Sequence, residues 1–427
     1  MHEVRIDGLG TAGDGVARLP SGEVVFVAGG LPGDRVQIRL TGRIKRVQRG
    51  EVVRLIEPSA ERIVSRCESE DCGGCAVRWL SRPAQAAAKR ERAVQALRRI
   101  GGCDIDALLG PVVQVGDGWR YRHRVRLHAD RFDARWRLGY HARGSHRLAP
   151  LETCPVLCPE LESAAFALTR ALAPLPPNAE LREVEMIVSR RDRRAAARIT
   201  AAGPMQAVSG SLDGLAESTL AGIEVVGGDG LQRHGDLTLR YDHARADEFD
   251  LWAEPGVFTQ ANPTVNDLLV EAVLAALPLG GASVLELHAG VGNFSLPLAL
   301  AGAELYTAEH MQRAVELAQR NARQAGVRLH AFYVEDVGAL LPGGPVPPLA
   351  TFDAVLMNPP RVGAFEVAKL LAGGGPGRLA YVSCDPATLA RDAQVLVDGG
   401  YRIRAATAFD MFPQTPHVEV LLSMDRA

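Results

Sequence analysis

From residue 255 onward, short apolar runs recur, each followed by a helical or loop segment: ASVLEL, AELYTAE, VRLHAFYV, FDAVLMN and RLAYVSC. Runs with no polar face must be buried on both sides, and the segments between them can carry crossover helices. The pattern predicts an α/β domain on a mostly parallel, Rossmann-like sheet over residues 255–427. The tail breaks the alternation, because YRIRAATAFD and VEVLLSMDR read as two strands with no helix between them.

The residues before this domain have a different texture. Over residues 1–58, the short strands GDGVARL, GEVVFVAG, GDRVQIRL and RGEVVRLIEP are broken by glycine, which suggests a small OB-like β-barrel ending near Pro58. A middle part, residues 59–254, begins with a cysteine-rich stretch. It continues as a helix that opens on Pro83 and stops at Gly101-Gly102, placed to pack on the α/β domain, and becomes mostly period-two strands from Tyr121. One helical stretch, CPELESAAFALTRALAPL, interrupts those strands.

Charge is divided between the ends. Residues 1–150 hold 27 Lys and Arg against 17 Asp and Glu, whereas the remainder holds 21 against 33. Basic clusters such as RIKRVQRG and WRYRHRVRLHADRFDARWR point to a nucleic-acid surface in the first third. No run of about 18 apolar residues and no signal-peptide layout occurs, so a soluble, cytoplasmic protein without membrane contact is expected. Seven cysteines in such a chain favour metal binding or catalysis over disulfides.

Three groups of residues carry chemistry. Cys384 stands where the run RLAYVSC stops and Asp385-Pro386 opens a helix; a lone thiol there is usually a small buried hydrophobe, so its role depends on its neighbours. The segment VLELHAGVGNFSLPLALAG is a strand, a glycine turn at Gly290 and Gly292, and a helix opening, which lets backbone approach a ligand. Glu309 ends the next strand and suits ribose hydroxyls, Glu335-Asp336 follow the third and suit an adenine edge, and Asn358-Pro359-Pro360 end the fourth in a methyltransferase signature. Together they imply S-adenosylmethionine. Finally, Cys67, Cys72 and Cys75 form C-x4-C-x2-C around Gly73-Gly74, with Cys154 or Cys158 as a distant fourth thiolate; zinc and an iron-sulfur cluster both suit that set.

These residues resemble the RNA uracil-C5 methyltransferases that make 5-methyluridine, over nearly the whole chain. The N-terminal barrel resembles a TRAM domain, FTQANPTVN the entry to a class I methyltransferase domain, and VSCDPATLARD and PQTPHVEVLLSMDR the two active-site motifs. The resemblance implies Cys384 as nucleophile and Glu419 as base. It further implies Gln260, His288, Asn293, Glu309 and Asn358 around the cofactor, and a 4Fe-4S cluster on Cys67, Cys72, Cys75 and Cys154. It favours 23S rRNA over tRNA as partner, with the protein acting as a monomer. The chain departs from the family pattern at His288, at Asn358 where Asp is usual, and at Asp385 where Asn is common. Competing readings are an amino-group N-methyltransferase using Asn358-Pro359-Pro360, and an RNA-binding protein without catalysis.

Overall fold

The computed structural model describes residues 1–44, 47–209, 212, 220–334, 340 and 344–426. At the N-terminus, β1 (His2–Leu9), β2 (Gly15–Arg18), β3 (Val24–Ala28), β4 (Arg35–Ile44) and β5 (Val47–Glu57) close into a barrel in the order β1-β2-β3-β5-β4. Alternate residues Val4, Ile6, Val25, Val27, Val36 and Ile38 fill it, as period-two strands require. Its outer face is laced by exposed ion pairs such as Arg35 with Glu3 and Glu57.

A seven-stranded sheet forms the middle of the molecule, in the order β12-β11-β10-β9-β6-β7-β8. Its strands are β6 (Arg124–Phe132), β7 (Arg135–His141), β8 (Leu148–Pro150), β9 (Leu181–Ser189), β10 (Arg194–Ala201), β11 (Gly222–Gly227) and β12 (Gly230–Gly235). The interrupting helix, Pro159–Leu172, buries Leu161, Ala165 and Leu168 against Val184, Met186 and Ala197 of this sheet. A two-stranded ribbon, β13 (Leu239–Tyr241) with β14 (Leu251–Ala253), leads into the last part.

That part is a second seven-stranded sheet, ordered β17-β16-β15-β18-β19-β21-β20. It comprises β15 (Ser283–Leu287), β16 (Glu304–Glu309), β17 (Leu329–Tyr333), β18 (Ala354–Met357), β19 (Arg378–Ser383), β20 (Tyr401–Phe409) and β21 (Glu419–Arg426). The first five strands run parallel, and β21 is antiparallel to both β19 and β20. The two tail strands are therefore present, joined without a helix.

Helix α1 (Arg82–Arg99) begins at Ser81, whose hydroxyl accepts from the Ala84 N–H (3.3 Å), with Pro83 in the first turn. Its buried Ala93, Val94 and Leu97 join one core with Leu389, Ala390 and Ala393 of α2 (Pro386–Asp398). Beyond α1, Leu109 and Val113 make bridges to Ala406 and Phe409 of β20. Residues 82–113 thus pack on the second sheet, although they precede the middle sheet in sequence. Among the described residues, no helix is long and apolar enough to cross a membrane.

Candidate active site

Strand order reverses between β15 and β18, and ligand crevices of such sheets open at the carboxyl ends beside that point. Gln260, His288, Gly290, Glu309, Asn358, Cys384 and Glu419 all line one cleft there. His288 and Gly290 share the turn after β15, and the others each come from a different strand end or loop. β19 stops at Ser383, so Cys384 projects beyond the sheet, and Ser383 pairs with Val420 on β21. Because β21 runs the opposite way, its first residue, Glu419, falls at the same edge as the last residues of β19. Register alone therefore sets a thiol next to a carboxylate.

The glycine turn follows β15. His288, Gly290 and Gly292 all have positive φ, at 61°, 60° and 100°. Glycine adopts this freely and histidine pays a strain cost. A side chain on Gly290 would project into the open cleft, since the nearest atom to it is the Phe258 carbonyl oxygen at 4.0 Å. Glu309 is locked in place: it accepts from the N–H groups of Gly290 (3.0 Å) and Met311 (2.9 Å), and its carboxylate lies 2.8 Å from His310 Nδ1. A carboxylate has about four acceptor positions, so a ribose diol could still be received. Burial holds the His288 imidazole below its ordinary pKa, which favours the neutral ring. The Asn358 N–H donates to the Leu287 carbonyl (3.3 Å), tying the end of β18 to this turn.

Electrostatics set Glu419 and Cys384 apart from ordinary side chains. Burial pushes the Glu419 carboxyl up to about 7, with the Arg361 guanidinium opposing. Burial also pushes the Cys384 thiol up to about 11, Glu419 adds to the rise, and Arg361 again opposes. Asp385 has a local task, since its Oδ1 accepts from the N–H groups of Ala387 (2.9 Å) and Thr388 (3.1 Å) at the start of α2. Asn caps helices as well as Asp does, so Asp385 leaves the geometry unchanged.

One expected cofactor residue is not among those lining the cleft. Asn293 faces a neighbouring cavity, and its amide exchanges two hydrogen bonds with Asn266 (2.8 and 3.0 Å). Asp336, with Glu335, lies outside the described residues. Sequence reasoning had assigned no role to Arg361 and Phe412, which line the cleft. The signals were adjacency to Asn358-Pro359-Pro360 for the first and to the PQTPHVE run for the second.

The remaining cysteines gather elsewhere. Cys67, Cys72, Cys75 and Cys154 line one cavity, walled by Tyr121, Arg122 and Tyr140. Gly73 is required there, because a Cβ would stand 2.8 Å from the His141 carbonyl oxygen. Burial pushes Cys75 up to about 12, with Cys154 the next cause, and Cys154 up to about 11. Burial acts against the charge of Arg122, yet the phenols of Tyr121 and Tyr140 and the thiols of Cys75 and Cys154 raise its pKa overall. Cys158 is fully buried outside this cavity, at the start of the interrupting helix. Among the described residues, no three His, Cys, Asp or Glu side chains are posed to grip a single metal ion.

Known proteins with the same features are numerous. A TRAM domain family model matches residues 2–53, a methyltransferase small domain model residues 248–372, and a tRNA (uracil-5-)-methyltransferase model residues 349–427. The 23S rRNA (uracil(1939)-C(5))-methyltransferase RlmD of Shewanella sp. strain ANA-3 is 34% identical over 97% of this chain and 93% of its own length. Its counterpart in Alkalilimnicola ehrlichii is 35% identical over 99% of this chain and 96% of its own. The tRNA (uracil-54, C5)-methyltransferase of Pyrococcus abyssi, solved with S-adenosyl-L-homocysteine, shares the fold at a TM-score of 0.75, with 24% identity and 99% of both chains covered. With relatives this similar over almost its entire length, the chain belongs to the RNA uracil-C5 methyltransferase family.

Proposed function

We propose that the chain methylates C5 of a uridine in 23S rRNA, using S-adenosylmethionine, with Cys384 as nucleophile and Glu419 as base. The observation that carries this reading is the β19–β21 register, which sets thiol and carboxylate side by side in the cleft that also holds Glu309. Uracil C5 is a poor nucleophile. Addition of the Cys384 thiolate to C6 pushes charge into an enolate spanning C4 and C5, so that C5 can attack an electrophilic carbon. Bound S-adenosylmethionine supplies that carbon as a sulfonium methyl. Glu419 then removes the proton left on C5, and the C6–S bond breaks to release the product.

The cleft residues fit the cofactor. Glu309 takes the ribose hydroxyls, Gly290 leaves room at the turn, and Gln260, His288 and Asn358 line the approach. Asn293, which pairs with Asn266, and Asp336, for the adenine edge, complete the expected cofactor set. Asn358-Pro359-Pro360 also favours a second reading, transfer to an exocyclic amine, but that chemistry has no use for Cys384 beside Glu419. Mass spectrometry of 23S rRNA from a strain lacking this chain tests the assignment. One 5-methyluridine should disappear, and loss of an N-methylated base instead would support the second reading.

Glu419 must be ionised to take the proton. Its pKa, raised to about 7, means the active carboxylate accumulates as pH rises through that value. The pH profile of kcat/KM should therefore climb with a midpoint near 7, and a flat profile between about pH 5.5 and 8 would contradict the role.

The division of labour we propose is a barrel over 1–58 and a middle part over 59–254 that hold RNA, with methyl transfer in 255–427. Cys67, Cys72, Cys75 and Cys154 hold a 4Fe-4S cluster in the middle part. Four thiols ringing a cavity, with the cation of Arg122 beside them, suit an anionic cluster. A cluster spreads its thiolates apart, whereas zinc draws them to a point. Anaerobically purified protein should be brown with about four irons per chain. Cys154→Ala should bleach it and Cys158→Ala should not. Stoichiometric zinc without iron would contradict the cluster.

A further inference from the structure

Among the described residues, two arginines near the cleft, Arg92 and Arg361, form no ion pair with a carboxylate. The loop between β20 and β21 is pinned from α1: Asp410 receives Arg82 and Lys89, and Gln414 exchanges bonds with Gln85 (2.9 and 3.0 Å). Further along, the Pro416 carbonyl accepts from Arg92 Nη1 (2.8 Å), and His417 Nε2 lies 3.4 Å from Arg361 Nη2. Guanidiniums from separate elements thus rest on adjacent residues of one loop. Neither forms an ion pair among the described residues. Their neighbours differ in this respect, since Arg391 is held by Asp392 and Lys89 by Asp410.

The nearby charges leave Arg92 in want of an anion, while the acidic group that Arg361 acts on is Glu419, whose carboxyl burial pushes up to about 7. Asp385 is the carboxylate closest to hand for Arg92, but one of its oxygens is engaged in capping α2. Burial works against the Arg92 charge, as expected of a half-buried cation without a counter-ion. Burial and the cations of Arg361 and Arg92 push the His417 ring down to about 3, so it stays neutral between them. Arg361 also lines the cleft with Cys384 and Glu419, whereas Arg92 lines a groove with Leu9 and Gly10 of the barrel rim and with Pro416. A strand of RNA passing from the barrel to the cleft would cross both.

We propose that Arg92 and Arg361 clasp one backbone phosphate next to the target uridine, and so fix its C6 over the Cys384 sulfur. Guanidinium forks match phosphate oxygens, and the pair supplies the fixed point about which an everted base is aimed. Arg92 is thereby a substrate-binding residue supplied by α1, outside the methyltransferase domain. The clasp rests on the uridine C5 reading.

The test is a cycle between protein and RNA. A 23S rRNA fragment bearing the target uridine is prepared with each flanking phosphate replaced in turn by a neutral methylphosphonate. Its affinity is measured for the unaltered full chain and for Arg92→Gln, Arg92→Lys and Arg361→Gln. At one of the two phosphates, neutralisation should weaken binding to the unaltered chain about tenfold, the worth of one charge-assisted bond. The same change should weaken binding to Arg92→Gln by clearly less, about threefold, because only the Arg361 contact remains to be lost. Arg92→Lys keeps the charge and should keep most of the sensitivity. If Arg92→Gln fails to fold, the exposed Arg361→Gln gives the same comparison. Equal weakening of chain and variants at both phosphates, or no weakening of the unaltered chain, overturns the clasp. Adduct formation between the unaltered chain and 5-fluorouridine RNA is scored in parallel. An adduct with additive losses overturns the clasp alone, whereas no adduct overturns the C5 reading with it.

Discussion

Cys384→Ala is expected to abolish turnover, lowering the rate by roughly 10⁴-fold or more, as loss of a covalent nucleophile generally does. Without a sulfur at residue 384 nothing adds to C6, and C5 stays too poor in electrons to attack a methyl group. The same variant should form no denaturation-resistant complex with 5-fluorouridine RNA on a gel. RNA affinity should be nearly unchanged, because alanine leaves Arg92 and Arg361 in place and removes no charge from the cleft. The thiol starts far from reactive, pushed up to about 11 by burial and by Glu419. Substrate entry must therefore lower it, and Arg361, which already opposes the rise, is placed to help. Full activity in Cys384→Ala would make this cysteine a packing residue.

Glu419→Gln should stall at a later step. The amide cannot accept the C5 proton, so the methylated base stays bonded to Cys384, and a covalent protein–RNA complex should accumulate with unmodified uridine substrate. Turnover should fall by about 10²-fold to 10⁴-fold, the usual worth of a positioned base. The fold should survive, since Glu419 is only 3% exposed and glutamine mimics its protonated form. Burial raises its folded pKa to about 7 from the ordinary carboxyl value of 4.5. The stability this confers is full below the unfolded pKa and is lost as pH rises through about 7. Glutamine does not titrate, so the variant should gain stability relative to the parent on crossing that window from acid to alkaline pH. A variant that releases product at the parental rate would remove Glu419 from the mechanism.

Much of the fold was legible because it is local. The five parallel strands of the second sheet are apolar runs with polar or glycine ends, and the barrel strands alternate with period two. The helices at Pro83 and Pro386 announce themselves through a cap residue followed by proline. The cleft was legible to the extent that its residues sit at strand ends, as Glu309, Asn358 and Cys384 do. What escaped depends on distance or rotation. Arg92 is remote in sequence from Pro416 and Arg361, and no periodicity in α1 marks which of its arginines turns toward the cleft. Asn293 lies three residues past Gly290, close enough to be read as a cofactor contact, yet the turn rotates its amide toward Asn266. The packing of residues 82–113 on the second sheet was only half visible. The helix was expected to lie there, but the bridges of Leu109 and Val113 to β20 carry no sequence mark.

Release of tritium from 23S rRNA labelled at uridine C5 tests the central claim most directly, because only loss of the C5 proton frees it. The unaltered chain with S-adenosylmethionine should release one tritium for each methyl group transferred. Methyl transfer without tritium release would contradict C5 methylation, whatever the Cys384 and Glu419 variants do.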